Sequence, residues 1–239
     1  MNVDSATALR WIRPTGLTLL AVTATAVVMA FSAAFLAAAY AALPELLPVR
    51  FAGSGVASGW QFKTFSRVLM PVFVQAALAV TLGAVGALLL SRSHGTHDEA
   101  ATDVKAASVA AECVALMTLI WVAFQGYAAV ALVAMWQRER GGLGGVYTYL
   151  EAAGIVITFA VAVRAHRRVG GPPRRPFVAE HWRLGQLYRN PGDPALFVPT
   201  RDGGHWTVNF GRPVTVMLMV LVLGIGILGP TVILGLFLR

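Results

Sequence analysis

Few residues in this chain are of types that do chemistry, and the most conspicuous stand where charge is costly. Glu112 and Glu151 each interrupt a long apolar run. Ionisable side chains at membrane depth usually pair with one another, face a water-filled path or bind backbone carbonyls. Glu112 lies seven residues beyond Lys105, on the inner half of its run. It is expected to face a polar crevice or to pair with an arginine of the inner loops. Gln75 and Gln125 sit deeper in apolar surroundings and suit interhelical hydrogen bonds. With Glu112 they would also suit a polar path for a small solute. Glu151 follows Tyr147 and Tyr149 and is expected near a membrane interface. On antiparallel helices the two glutamates fall at opposite depths, so no paired-carboxylate acid–base site is expected.

Other chemical signals fail their own context. His94, His97, Asp98 and Glu99 are metal-ligand types, but they lie in a polar, glycine-containing stretch that reads as a solvated loop. Gly224, Gly226 and Gly229 spell a dinucleotide fingerprint inside an apolar run, with no strand-turn-helix unit around it. There, glycine permits close helix packing, and the following Pro230 kinks the helix. Cys113 is the single cysteine and behaves as a small hydrophobe. No nucleophile elbow, zinc-binding His-Glu-x-x-His, phosphate-binding loop or Cys-x-x-Cys occurs. The sequence assigns no catalytic residue, no cofactor and no metal.

The elements that must position these residues are written in the composition. Of 239 residues, 57% are hydrophobic and 13% charged, against about 25% charged in soluble domains. This excludes a disordered chain and argues for a multi-span membrane protein. Five spans are expected, at 17–42, 68–91, 106–136, 146–163 and 214–238. Together they hold 124 residues and two charges; the other 115 residues hold 28, the density of a soluble protein. The fold class expected is all-α, with about five transmembrane helices and a small cytoplasmic aromatic, β-hairpin-like module between the fourth and fifth. The layout is a four-span domain at 1–163 with an outer loop at 43–67, a basic linker at 164–179, the module at 180–212 and the last helix at 213–239.

Arg10 and Arg13 precede the first run, and Ala39-Tyr40-Ala41 fits a small-x-small cleavage site. The apolar run of about 26 residues exceeds a signal h-region of ~7–15, which favours a retained helix. With the N-terminus inside, the inner face carries 13 Lys and Arg and the outer face six. The positive-inside rule then places the N-terminus in and the C-terminus out, in a cytoplasmic (inner) cell membrane.

Two segments outside the spans stand out. The first runs from Leu43-Pro44 through Leu47-Pro48, Phe51, Gly53, Gly55 and Gly59 to Trp60 and Lys63. Its prolines favour extended or turn backbone and its glycines tight turns. Trp60 reads as an interface anchor. The second begins with Arg164, Arg167, Arg168, Arg174 and Arg175 around Pro172-Pro173, which suits an anionic leaflet. Contact of this Arg-rich segment with RNA is a weaker reading, and no nucleic-acid partner is expected. Beyond it, 196–200 and 205–210 flank Arg201-Asp202-Gly203-Gly204, a hairpin signal. Trp182, Tyr188, Phe197, Trp206 and Phe210 are expected to form one aromatic cluster. A stretch of roughly 30 residues is too short for an independent core, so docking on the membrane or the helices is expected.

The first segment resembles the signature loop of an uncharacterised bacterial multi-pass membrane-domain family, shared with SdpI-type immunity proteins that protect a producing cell from its own secreted toxin. Leu43, Pro44, Leu47, Pro48, Phe51, Gly55, Trp60, Lys63 and Pro71 match in register. Arg50, Ala52 and Ser58 stand where that family has His, Asn and Asp. The second segment resembles the C-terminal motif of another uncharacterised family that often accompanies the first. The matching residues are Trp182, Gly185, Tyr188, Asn190, Asp193, Pro194, Phe197, Val198, Pro199, Arg201, Gly204, Trp206, Asn209 and Phe210. The resemblance implies an integral membrane protein and carries no reaction with it.

The function expected is a non-enzymatic regulatory, interaction or immunity-type membrane component. The alternative is a small transporter or lipid-handling protein using Glu112, Gln75 and Gln125, with a membrane enzyme third. The partners expected are the lipid bilayer, anionic lipid at the Arg-rich loop and a protein; the oligomeric state is left open.

Overall fold

The computed structural model describes residues 10–52, 54, 56–92, 100–138, 143, 145–173 and 175–224. Helix α1 spans Gly16–Tyr40, α2 Phe65–Val68, α3 Met70–Leu90, α4 Ala100–Arg138 and α5 Gly145–Val169. A shorter apolar helix, α6, covers Pro213–Gly224. At 1.5 Å per residue, the 25 residues of α1 reach roughly 37 Å, more than a hydrocarbon core of about 30 Å. Among the described residues, four helices are long and apolar enough to cross a membrane: α1, α3, the Asp103–Arg138 part of α4, and α5. Leu20, Val27 and Phe31 on α1 and Val156 and Phe159 on α5 are exposed, a surface that lipid accepts and water does not. Of the expected fifth span, 225–238 lies outside the described residues, as do Gly55, the His94–Glu99 cluster and Gly226 and Gly229.

Several boundaries move. Helix α4 begins at Ala100 rather than 106, so Asp103 occupies its first turn. Helix α5 runs to Val169 rather than 163 and takes Arg164, Arg167 and Arg168 out of the expected linker. It stops at Gly170, whose left-handed φ of +73° lets its amide close back on the His166 carbonyl. Basic residues in that last turn also suit the helix dipole.

The chain divides into two compact units. One comprises the segments Leu19–Val80 and Ala115–Ala162. Here the expected Pro/Gly loop is an antiparallel hairpin, β2 (Leu46–Phe51) with β3 (Ala57–Phe62), in register Leu46↔Phe62 and Pro48↔Trp60. Both strands are edges, so Pro48 costs the ladder little by lacking an amide hydrogen. Leu43 and Leu47 enter a core with Leu36, Val68, Leu69, Ala129, Val133 and Trp136.

The other unit comprises Met1–Thr18, Thr81–Val114 and Val163–Arg239. Two short strands, β1 (Arg10–Trp11) and β4 (Ser91–Arg92), pair at its helix ends. Two further hairpins form the module: β5 (Trp182–Arg183) with β6 (Leu187–Tyr188), and β7 (Phe197–Pro199) with β8 (Trp206–Val208). The second hairpin turns at the expected Asp-Gly, with Gly203 at φ +69°. Leu196 carries the module into a core with Val85, Leu89 and Ala111 of α3 and α4, against which Phe197 and Val214 pack.

Candidate functional site

The module is organised around one amide side chain. Asn209 is fully buried. Its Oδ1 accepts the amides of Asn190 and Gly211 at 3.0 and 2.9 Å. Its Nδ2 donates to the carbonyls of Asn190, Asp193 and Ala195 at 2.8, 3.2 and 3.3 Å. A loop with little regular structure has no ladder to satisfy its buried backbone groups, and Asn209 does that work from the centre. Gly211 closes the arrangement. A β-carbon there would stand 2.5–2.7 Å from backbone atoms of Asn190 and Pro191, so only glycine fits.

Asp193 is the second organiser. Its Oδ1 accepts the Ala195 amide at 2.9 Å, while its Oδ2 accepts the Tyr188 hydroxyl at 2.9 Å and pairs with Arg175 at 3.2 Å. Burial pushes the Tyr188 phenol above its ordinary pKa, and Asp193 adds to that. Tyr188 meets Trp182 edge-on at 5.4 Å, and Trp182 stacks on Phe177 at 6.3 Å. The Arg201 guanidinium lies over the Phe177 ring at 4.9 Å. These groups surround a cavity of about 430 Å³, lined by Trp182, Tyr188, Asn190, Asp193, Pro199 and Arg201 among others. That size suits a small ligand. With Arg175 already facing Asp193, the remaining cation at the cavity wall is Arg201 among the described residues. Its chemistry favours an anionic or planar group over a hydroxyl-rich one.

The five expected aromatics do not form a single cluster. Phe197 packs on the helices instead, and the Trp206 Nε1 donates to the Gly170 carbonyl at 2.9 Å, pinning the hairpin to the end of α5. The reason is register: Phe197 leaves Val198 on the other face of β7, so one aromatic points to the helices while its neighbour faces the module interior. Gly185, at φ +74°, turns the first hairpin, and the Gly204 amide binds the Asp202 carboxylate at 3.1 Å. Asp202 is exposed, and Thr200 and Gly204 hold its carboxyl below the usual range. Pro194 lines the cavity.

The residue that fastens this module was missing from the sequence reading. Asp103, nearly fully buried in the first turn of α4, accepts the amides of Leu196 and Phe197 at 3.3 and 2.7 Å. An acidic residue before a helical apolar run was the available signal, but it pointed only to a helix start. Glu112 is held in the same unit. Its Oε2 accepts the Thr15 hydroxyl at 2.8 Å, and its Oε1 pairs with Arg168. Thr15 also caps α1 by accepting the Thr18 amide at 3.1 Å. The cation for Glu112 thus comes from the last turn of α5, not from a loop.

In the other unit, Gln75 is fully buried, and its Nε2 donates to Ser32 Oγ at 3.0 Å and the Val122 carbonyl at 2.9 Å. Its Oε1 has no donor among the described residues. Gly126 lets the helices close around it: a β-carbon there would lie 3.2 Å from Ser32 Oγ and 3.3 Å from Val28. Gln125 is half-buried on α4. In the β2–β3 segment, Lys63 turns inward, with its side chain 7% exposed. Its ammonium donates to the Leu43 carbonyl at 2.9 Å, pairs with Glu45 at 3.1 Å and lies 5.0 Å from the Tyr40 ring centre. Leu43 and Pro48 are buried, Pro44 and Phe51 are half-buried, and Trp60 is 51% exposed.

Compared with known protein families, with curated proteins and with solved structures, the chain gives no match in any of the three.

Proposed function

We propose that the chain is a non-enzymatic regulatory or interaction component of a cell membrane, with the 175–212 module as its binding element. One observation carries this reading. The aromatic cavity stands on a backbone whose Leu196 and Phe197 amides are bonded directly to Asp103 in the first turn of α4. A ligand that shifts this loop must therefore shift its bonds to a membrane-crossing helix, which is what a two-state reporter requires. The resemblance of 43–71, read from the sequence alone, to a membrane-domain family shared with immunity proteins agrees with the same class. On this reading the N-terminus is cytoplasmic, the module faces the cytosol above an anionic leaflet, and the β2–β3 hairpin faces the outside. An external toxin or envelope partner would then meet that hairpin.

The transport reading keeps one supporting observation, the buried Gln75 Oε1 without a donor, which would suit a passing hydroxyl or ammonium group. Glu112 argues the other way, since Thr15 and Arg168 already occupy its oxygens.

The deciding experiment pairs two assays. In a deletion strain, wild type and Glu112→Gln are expected to restore the lost regulatory or protective phenotype, while Asp103→Leu and Trp182→Ala are not. In proteoliposomes, no solute or proton flux is expected. Flux abolished by Gln75→Leu overturns the reading in favour of transport.

A further inference from the structure

The β5–β6 hairpin ends in an unusual tip. The Gln186 amide closes on the Arg183 carbonyl at 3.2 Å, so Leu184 and Gly185 form the corner of a tight turn. Both have positive φ, 49° and 74°. Gly185 adopts that conformation freely, but a leucine rarely does. Leu184 is also 91% exposed. A large apolar side chain in a left-handed turn, with almost no contact to the rest of the protein, contributes nothing to the fold. Its neighbours complete a pattern. The register Trp182↔Tyr188 and Arg183↔Leu187 sends the aromatics to one face of the hairpin. By alternation, Arg183 and Leu187 take the other; both are exposed, as is Arg189 just past β6. The tip is thus two leucines between two arginines.

We infer that this tip is a membrane-contacting finger for an anionic lipid surface. Leu184 and Leu187 enter the apolar edge of the headgroup layer, and Arg183 and Arg189 meet lipid phosphates. Three observations select lipid as the occupant. The patch combines apolar side chains with cations, which matches an anionic bilayer surface. Between 175 and 212 the chain carries five arginines against three carboxylates, so the module as a whole is drawn to negative charge. The module is fixed through Leu196 and Asp103 to the ends of α3 and α4, two helices apolar enough to cross a membrane, so on the reading above it sits near the bilayer surface. The inference rests on the membrane-embedded part of the reading above and is independent of its regulatory part.

The test uses the full chain carrying Cys113→Ser and Leu184→Cys, labelled at the tip with an environment-sensitive nitrobenzoxadiazole dye. The protein is placed in nanodiscs of phosphatidylcholine alone or mixed with phosphatidylglycerol. Successful incorporation into discs reports membrane embedding separately from tip contact. The expected result is blue-shifted emission, quenched by lipids carrying a shallow nitroxide, in the anionic discs. Both signals should weaken in neutral discs and with Arg183→Gln and Arg189→Gln together. A dye at Asp202→Cys should stay unshifted. Unlabelled Leu184→Gly should fold at least as stably as wild type, since glycine relieves the turn, showing that leucine is not there for the fold. Unquenched emission equal in both discs overturns the inference. So does a shift that appears only on adding a cytosolic protein fraction, which would make the occupant a protein.

Discussion

The Asp103 carboxylate, in the first turn of α4, accepts the backbone amide of Phe197 at 2.7 Å, across 94 residues of chain. Leu196 donates to the same carboxylate at 3.3 Å. Two backbone donors of a strand start are thus satisfied by a helix rather than by another strand. Removing the acceptor leaves both unpaired, Leu196 buried and Phe197 part-buried, and a buried orphaned group costs about 1–3 kcal/mol. Asp103→Leu should therefore release the module from the helices. Amide exchange at 196 and 197 should accelerate by at least tenfold, while exchange within α1 stays unchanged. Unaltered protection at these two amides would disprove the fastening role.

Asn209 and Gly211 should be the least replaceable residues of the module. Asn209→Ala removes both acceptor and donor from five backbone groups, and a loss of about 3 kcal/mol or more is expected. Gly211→Ala drives a methyl into the Asn190–Pro191 backbone and should be at least as damaging. Limited proteolysis of the full chain in detergent reads both, as new cleavage confined to 175–212.

Lys63 is expected to matter more than its charge type suggests. Lys63→Met keeps the apolar stem but leaves the Leu43 carbonyl without its donor. The Glu45 partner is 83% exposed, so the ion pair itself contributes little. Lys63→Met should lower the thermal midpoint clearly, and Glu45→Gln barely. Equal effects from the two variants would show that the pair, not the carbonyl, matters.

Glu112 and Arg168 should be strongly non-additive. Arg168→Ala leaves a nearly buried carboxylate held by the Thr15 hydroxyl, whereas Glu112→Gln with Arg168→Ala removes the charge problem as well. The double variant should be more stable than the sum of the single losses predicts. A thermal-unfolding cycle measures this, and simple additivity would sink the pairing.

The Tyr188 phenol is raised above its ordinary value, first by burial and then by Asp193. A raised folded pKa means that folding favours the neutral phenol. This stabilisation is complete below the unfolded pKa of about 10 and is lost as pH rises through the higher folded value. Ultraviolet titration of wild type minus Tyr188→Phe should show phenolate forming later than in a free tyrosine. Ordinary titration of that difference would contradict the burial of the phenol beside Asp193.

Apolar spans are legible in a single sequence because lipid imposes one local requirement, uninterrupted hydrophobicity over a bilayer's thickness. The Asp202-Gly203 turn is legible for the same kind of reason, since left-handed backbone restricts residue type locally. The strain at Leu184 breaks that local rule and so left no trace in the pattern. Long-range partners left none either. The spacing of Glu112 or Asp103 does not reveal Arg168 or Phe197, and Gly211 looks like any other glycine until Asn190 closes on it. Pro48 also read as loop because proline disfavours interior strands, whereas a two-stranded hairpin has only edges. The sequence by itself determined which segments can sit in lipid and where the chain can turn sharply. Tertiary structure alone decided which buried polar groups meet, because a hydrogen bond depends on distances that chain connectivity does not encode.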